Sequence, residues 1–310
     1  MRVVFMGTSD FAVPSLLGLF QDGHRIVGVV SQPDRARGRG KKVRPTPVKE
    51  MAVEMGLAIF QSNNIKSDEA LEQIRQWDPE IIVVASYGQI IPPAILDYPP
   101  HGCINVHASL LPRHRGAAPV QRAIMAGDQG SGVTIMYMEK GLDTGDIIAQ
   151  KAVDIGEEMD SGLLERILAQ MGAELLLQVI KEMESGPPQR RKQDDALATY
   201  AHMLSKEDEL IDWNRSAGDI LNQVRAMSPV PGAYTLLDGG KVKIFSVRVI
   251  PEIVAGEIGQ VVSVTDESFL VKTGNGMLEI LEIQKEGKNR IKAGDFLRGY
   301  RQLEGRVLGK

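Results

Sequence analysis

The chain has a single cysteine, Cys103, in 310 residues, so no internal disulfide can form. That scarcity fits a reducing compartment, and its place inside an apolar run marks a buried thiol rather than a nucleophile. No apolar run is long enough to span a bilayer. Residues 1–7 read directly as a strand, without a long apolar region and small-residue cleavage site, so a cytoplasmic location is expected. Metal-ligand spacing is missing as well. The five histidines, at 24, 101, 107, 114 and 202, are scattered and no second cysteine joins them, so no metal is expected. After the first strand, Gly7-Thr8-Ser9-Asp10-Phe11-Ala12 lacks the three-glycine phosphate-binding fingerprint. Ser9 and Ala12 stand at its later glycine positions, which would deny a dinucleotide its close backbone approach and counts against a nicotinamide redox enzyme. There is no internal repeat and no low-complexity tract.

A hydrophobic content of 43% supports a sizeable core, and the length suits one large α/β domain with a smaller second one. Short β-branched runs at 3–6, 26–30, 58–60, 81–85, 103–107, 133–138 and 147–153 alternate with helical stretches at 13–21, 47–55, 68–76 and 120–126. That alternation predicts a doubly wound, mostly parallel sheet. An apolar-periodic helix over 161–183 ends at Gly186-Pro187-Pro188. Residues 189–195 are polar and charged with no apolar period, which marks a linker at 190–205 between a 1–189 domain and a 206–310 domain. Beyond the linker, a helix near 217–225 precedes short runs at 233–237, 242–249, 259–264, 269–272 and 277–283 with glycine turns, which predicts a small OB-like β-barrel.

The densest chemistry lies at the end of the 103–107 run. Asn105 and His107 are two apart on a strand, so both side chains leave the same face. The chain then breaks into a loop rich in Pro, Arg and Gly, and strand ends beside such loops are where open α/β sheets place their sites. Asn can donate to a developing oxyanion, and His can move a proton near neutral pH. The pair suits acyl transfer, although an Asn-x-His at a strand end could equally be a satisfied turn. Downstream, Asp143 in Gly141-Leu142-Asp143-Thr144-Gly145 could orient the imidazole or simply close an Asx-turn.

Three ordered blocks carry a resemblance: Asn105-Val106-His107-Ala108-Ser109-Leu110-Leu111-Pro112, Arg115-Gly116-Ala117-Ala118-Pro119-Val120-Gln121, and Gly141-Leu142-Asp143-Thr144-Gly145. They resemble the signature of 10-formyltetrahydrofolate-dependent formyltransferases, and within that family the methionyl-tRNA formyltransferases. The resemblance implies a Rossmann-like catalytic domain with Asn105, His107 and Asp143 as the catalytic trio. It implies a folate site lined by Ser109, Leu110, Leu111 and Pro112, with backbone near Tyr87, Gln89 and Ile91 and the 139–143 loop holding the pterin. The formyl donor would be 10-formyltetrahydrofolate as co-substrate. The acceptor would be initiator methionyl-tRNA, the product would serve translation initiation, and the enzyme would act as a monomer without metal.

Net charge is −4, which by itself does not suggest nucleic acid. Its distribution does. Arg35, Arg37, Arg39, Lys41, Lys42, Arg44 and Lys49 crowd a segment with one acid, Asp34. Gly and Pro there predict an irregular loop, and a lone charge run is normally a solvated one. In the resembled family a similar basic loop reaches the tRNA acceptor arm, a role that would fall to Arg37, Arg39, Lys41 and Lys42. Sugar-nucleotide formyltransferases share the trio but lack this loop. A purine-pathway formyltransferase would leave the last hundred residues unexplained, and a non-catalytic RNA-binding protein would not need the trio. Residues 206–310 carry fifteen basic and fifteen acidic residues, so any basic face there, for example through Lys285, Lys288, Arg290 and Lys292, depends on folding.

Overall fold

A computed structural model of the chain describes residues 1–37, 42–252, 254–300 and 302–309. Contacts divide it into two units, one of residues 1–119, 130–154 and 165–202, the other of 120–129, 155–164 and 203–310.

Strands of the first unit are β1 (Arg2–Gly7), β2 (Arg25–Ser31), β3 (Arg35–Arg37), β4 (Lys42–Arg44), β5 (Ile59–Gln61), β6 (Ile81–Ala85), β7 (Cys103–His107), β8 (Arg115–Gly116), β9 (Gly130–Tyr137), β10 (Ile147–Asp154) and β11 (Tyr200–Ala201). Helices along the same stretch of chain are α1 (Val13–Gln21), α2 (Pro47–Glu54), α3 (Asp68–Trp77), α4 (Pro93–Leu96), α5 (Pro119–Met125) and α6 (Ser161–Ser185). Seven strands form the main sheet in the order β10-β9-β7-β6-β1-β2-β5. β5, β2, β1, β6 and β7 run parallel, while β9 and β10 are antiparallel additions at one edge.

Helices cover both faces, which is why β6 is buried at every residue and reads as an unbroken apolar run. Val4, Met6, Ile82, Val84 and Cys103 pack on one face with Ile74 of α3 and Ile95 of α4. Each such side chain contributes on the order of 1.5–3 kcal/mol by leaving water. On the other face α6 crosses β7 closely: a Cβ on Gly172 would lie 2.7 Å from the Val106 side chain. Alternation along β7 therefore sends Asn105 and His107 to the same face as Cys103. Helix starts follow the capping chemistry of the sequence. Ser67 accepts the Ala70 amide at the head of α3, whose first turn carries Asp68 and Glu69.

Two segments differ from the sequence expectation. Among the described residues of the basic stretch, β3 and β4 pair antiparallel with Arg35 opposite Arg44 and Ala36 opposite Val43. Backbone pairing between these two short strands supplies their hydrogen bonds. The polar stretch predicted as a linker is docked through much of its length onto the first unit. Arg191 and Ile147 exchange backbone hydrogen bonds at 2.8 and 2.9 Å, and β11 pairs parallel with β8. These contacts are made by backbone and polar side chains, so hydrophobic periodicity carries no trace of them.

The second unit contains α7 (Lys206–Glu209), α8 (Ala217–Met227), β12 (Ala233–Leu237), β13 (Gly240–Ile250), β14 (Val261–Val264), β15 (Phe269–Lys272), β16 (Met277–Lys285), β17 (Ile291–Lys292) and α9 (Ala293–Arg298). Its antiparallel sheet runs β12-β13-β16-β15-β14, with β17 paired to β16. This hydrogen-bonded path is open, and among the described residues no ladder joins β12 to β14 to close a barrel. Arg122 clasps Asp208 through two 2.7 Å hydrogen bonds within this unit, so that residues 120–129 belong with the C-terminal portion of the chain.

Candidate active site

The loops leaving β1 and β6 are stitched together at the C-terminal edge of the parallel strands. Thr8 Oγ1 donates to the Tyr87 carbonyl at 2.9 Å and Ser9 Oγ to Ser86 Oγ at 2.7 Å. Ser9, standing at one of the missing glycine positions, is thus used with Thr8 to join loops. β7 ends beside β6 at this edge, with Asn105 in register with Val84. This is where an open parallel sheet leaves room for a ligand.

Asn105 and His107 are 9% and 6% exposed, buried enough to strengthen their electrostatics while leaving a path to a reactant. Both ring nitrogens of His107 face acceptors. Nε2 lies 3.0 Å from the His114 carbonyl oxygen, and Nδ1 lies 3.7 Å from Asp143 Oδ2. A ring nitrogen meets a carbonyl oxygen only as a donor, so Nε2 carries a proton in this arrangement. Asp143 adopts φ of 52°, in the left-handed region that Asp tolerates better than most residues. The Gly116 amide donates to Asp143 Oδ2 at 2.8 Å. Gly116 itself needs φ of 123°, and a Cβ there would lie 2.7 Å from the Ala201 carbonyl. Asp143 therefore faces the imidazole, and its carboxylate accepts from the Gly116 amide, 27 residues away in the chain, where an Asx-turn would bond its own loop.

The Ser109-Leu110-Leu111-Pro112 turn is fixed by a buried hub at Thr134. Thr134 Oγ1 donates to the Ser109 carbonyl at 2.7 Å and accepts the Leu111 amide at 3.1 Å and Gln150 Nε2 at 2.9 Å. Ser109 Oγ donates to the Arg113 carbonyl at 2.7 Å. Tyr87, Gln89 and Ile91 use their side chains elsewhere. Tyr87 and Ile91 lie in the apolar core beside α4, and burial pushes the Tyr87 phenol up to about 12. Gln89 accepts the Ile65 amide at 2.8 Å and donates to the Ser62 carbonyl at 2.9 Å. The side chains of Tyr87, Gln89 and Ile91 are thus committed within the protein, whereas that of Ile90 between them is 74% exposed. Cys103 is buried, with its thiol pushed up by desolvation and aimed at the Ile95 and Leu96 carbonyls, so it is no nucleophile.

The formyl transferase family profile matches residues 1–180, and the profile for the formyl transferase C-terminal domain matches residues 203–301. A methionyl-tRNA formyltransferase of Syntrophomonas wolfei is 56% identical over 310 residues, covering 100% of this chain and 99% of the relative. Another, from Pelotomaculum thermopropionicum, is 48% identical over 311 residues and covers 100% of this chain and 99% of its own. This chain belongs to the methionyl-tRNA formyltransferase family.

Solved structures show the same fold in more distant relatives. An N-formyltransferase from Helicobacter canadensis, in complex with folinic acid and dTDP-3-aminofucose, matches with a TM-score of 0.68 at 18% identity, over 92% of this chain and 99% of that one. HypX from Aquifex aeolicus, in complex with tetrahydrofolic acid, matches with a TM-score of 0.64 at 18% identity, over 98% of this chain and 48% of that longer one.

For a member of this family, the basic residues fall in two places. β3 and β4 leave the C-terminal end of β2 as a ribbon that carries Arg37 and Lys42 opposite one another, while Arg39 and Lys41 lie outside the described residues. In the second unit, Lys285, Lys288, Arg290 and Lys292 come together on the β16–β17 hairpin. Arg290 stacks over Phe245 with its guanidinium carbon 4.7 Å from the ring centre, and Lys285 lies 5.7 Å from the rings of Phe296 and Tyr300. Sequence reading missed Arg115, Gln193 and Thr199 beside the site, where Thr199 Oγ1 accepts the His114 amide at 2.9 Å and Arg115 Nη2 donates to Gln193 Oε1 at 2.8 Å. Arg115 stood inside a recognised block without a role; Gln193 and Thr199 gave no signal in a polar stretch.

Proposed function

We propose that this chain transfers the formyl group of 10-formyltetrahydrofolate to the α-amino group of methionine on initiator methionyl-tRNA, for the initiation of translation. The observation that carries this reading is the convergence of Asn105, His107 and Asp143 at the C-terminal edge of the sheet, in a chain alike to methionyl-tRNA formyltransferases along its whole length. The amine attacks the formyl carbon and its carbonyl oxygen becomes an oxyanion. Asn105 donates a carboxamide N–H to that oxygen, and protonated His107 adds a second donor when its Nε2–H turns from the His114 carbonyl to the substrate. Collapse breaks the bond from carbon to the folate N10, the amine loses a proton, and N10 gains one through His107 or a water. Asp143 holds the imidazole in its working orientation. The products are formylmethionyl-tRNA and tetrahydrofolate.

In this reading Ser109, Leu110, Leu111 and Pro112, with the backbone of Tyr87, Gln89 and Ile91, hold the folate. The basic segment with Arg37, Arg39, Lys41 and Lys42 neutralises tRNA phosphates. Residues 1–189 carry the chemistry and 206–310 add tRNA-binding surface. The enzyme acts as a cytoplasmic monomer. Among the described residues no helix is long and apolar enough to cross a membrane.

The test is transfer of labelled formyl from 10-formyltetrahydrofolate to charged initiator methionyl-tRNA, with charged elongator methionyl-tRNA and an amino-sugar nucleotide as parallel acceptors. Strong preference for the initiator is expected. Preference for the sugar nucleotide would keep the trio and overturn the tRNA assignment.

A further inference from the structure

Arg115 is one of the largest side chains in the protein to be almost wholly buried, at 2% exposure. A buried guanidinium must have its donors met, and the partners of this one lie in the docked stretch near residue 193. Arg115 Nε and Nη2 donate to Gln193 Oε1 at 3.1 and 2.8 Å, and Nη2 also donates to Asp195 Oδ1 at 2.8 Å. With its oxygen committed to Arg115, the Gln193 amide can turn only its NH2 toward the site. Nε2 donates to the carbonyl oxygens of Asp143 and Gly145, both at 2.8 Å. The residue after Arg115 is Gly116, whose amide holds the Asp143 carboxylate. Asp143 is thus gripped twice from β8: directly at its carboxylate, and through Gln193 at its main chain.

We propose that Gln193 is a positioning residue that holds Asp143 in register with His107, with Arg115 fixing the orientation of the Gln193 amide. The proposal rests on the reading of Asp143 as the residue that orients His107. Gln193 itself does not touch the imidazole in this arrangement; it acts on the loop whose carboxylate does. The docked stretch is therefore part of the site rather than a mere connection.

Glutamate separates this role from simple docking. Gln193→Glu keeps an acceptor for Arg115 and adds a charge to pair with it, so the stretch stays in place. It also puts a carboxylate oxygen against two carbonyls that need a donor, which pushes the 143–145 loop away. Gln193→Leu removes both interactions.

The experiment is a double-mutant cycle on formyl transfer with the full-length protein, comparing wild type, Gln193→Leu, Asp143→Ala and the double variant. Melting temperature and the KM for 10-formyltetrahydrofolate are followed alongside kcat. Gln193→Leu is expected to lower kcat by about 10- to 100-fold, the scale of an ångström-level misplacement. In the Asp143→Ala background the same change should cost less than about twofold, because the group it positions is gone. Equal losses in both backgrounds would overturn the proposal while leaving Asp143 in the mechanism. Wild-type kcat for Asp143→Ala would overturn the reading of Asp143 and the proposal with it. If Gln193→Leu does not fold, Gln193→Glu takes its place in the cycle. A folded Gln193→Glu enzyme with wild-type kcat would sink the assignment.

Discussion

Lys49 Nζ lies 2.6 Å from Asp34 Oδ2, tying the start of α2 to the base of the basic ribbon. Gln61 completes the knot by donating to Asp34 Oδ1 at 2.7 Å and accepting from Lys49 at 2.7 Å. The hydrogen bond from Gln61, followed by that from Lys49, holds the Asp34 carboxyl below its ordinary value of 3.8. A carboxyl held low in the folded state stabilises it above pH 3.8, and that contribution is lost as the pH falls through the lowered value. Asp34→Asn should therefore lower the melting temperature by about 2–4 °C at pH 7. The gap should shrink as the melts are repeated below pH 3.8. A gap independent of pH would exclude the ionic part of the knot.

His107 lies between the His114 carbonyl and the Asp143 carboxylate, and the proposed mechanism gives it proton handling and oxyanion support. His107→Ala and Asp143→Ala should each lower kcat by about 10²–10⁴-fold, the usual scale for such groups, while tRNA affinity survives. Single-turnover rates beside filter-binding affinities would check both halves. A His107→Ala enzyme near wild-type turnover would remove the residue from the mechanism.

Excising residues 37–42 should raise the KM for tRNA and leave the KM for folate unchanged. It should also flatten the dependence of tRNA binding on salt, by roughly 0.7–0.9 in log–log slope for each phosphate contact removed. Binding measured across a salt series gives that slope directly. Unchanged kinetics and slope would take the ribbon out of the account.

Glu165 is partly buried on α6, and burial, with Asp10 adding to it, raises its carboxyl above the ordinary 4.5. The charged form is the disfavoured one. This group's contribution is therefore fully present below pH 4.5 and lost as the pH rises through the raised folded value. Glu165→Gln should raise the melting temperature at pH 7, with the gain fading below pH 4.5. Thermal melts at the two pH values decide it, and a loss at pH 7 would mean that the ionised carboxylate has a favourable partner.

Much of the first unit was legible because its cause is local. β7 spans 103–107 as its apolar run does, and the two-residue period already put Asn105 and His107 on one face. Ser67 and Asp68 announced the start of α3 by chemistry confined to one turn. What escaped was made at a distance. Arg115 and Gln193 are 78 residues apart, and nothing near either one in the chain asks for the other. The β3–β4 ribbon was hidden for a related reason: strands of three residues rich in Arg and Lys read as loop until they are seen to pair.

The sequence by itself determined the alternation of strands and helices, the placing of Asn105 and His107 on one face of a strand, and the concentration of positive charge. Each depends on side-chain periodicity or on residue types at short spacing, which the linear chain displays. Tertiary structure alone decided that Asp143 meets His107, that the stretch around Gln193 docks on the site, and that Lys285, Lys288, Arg290 and Lys292 share one hairpin. These are matters of where distant backbone carbonyls and buried donors find partners. That is settled only when the whole sheet closes around them, since a buried polar group must be paired somewhere while the local sequence does not say where.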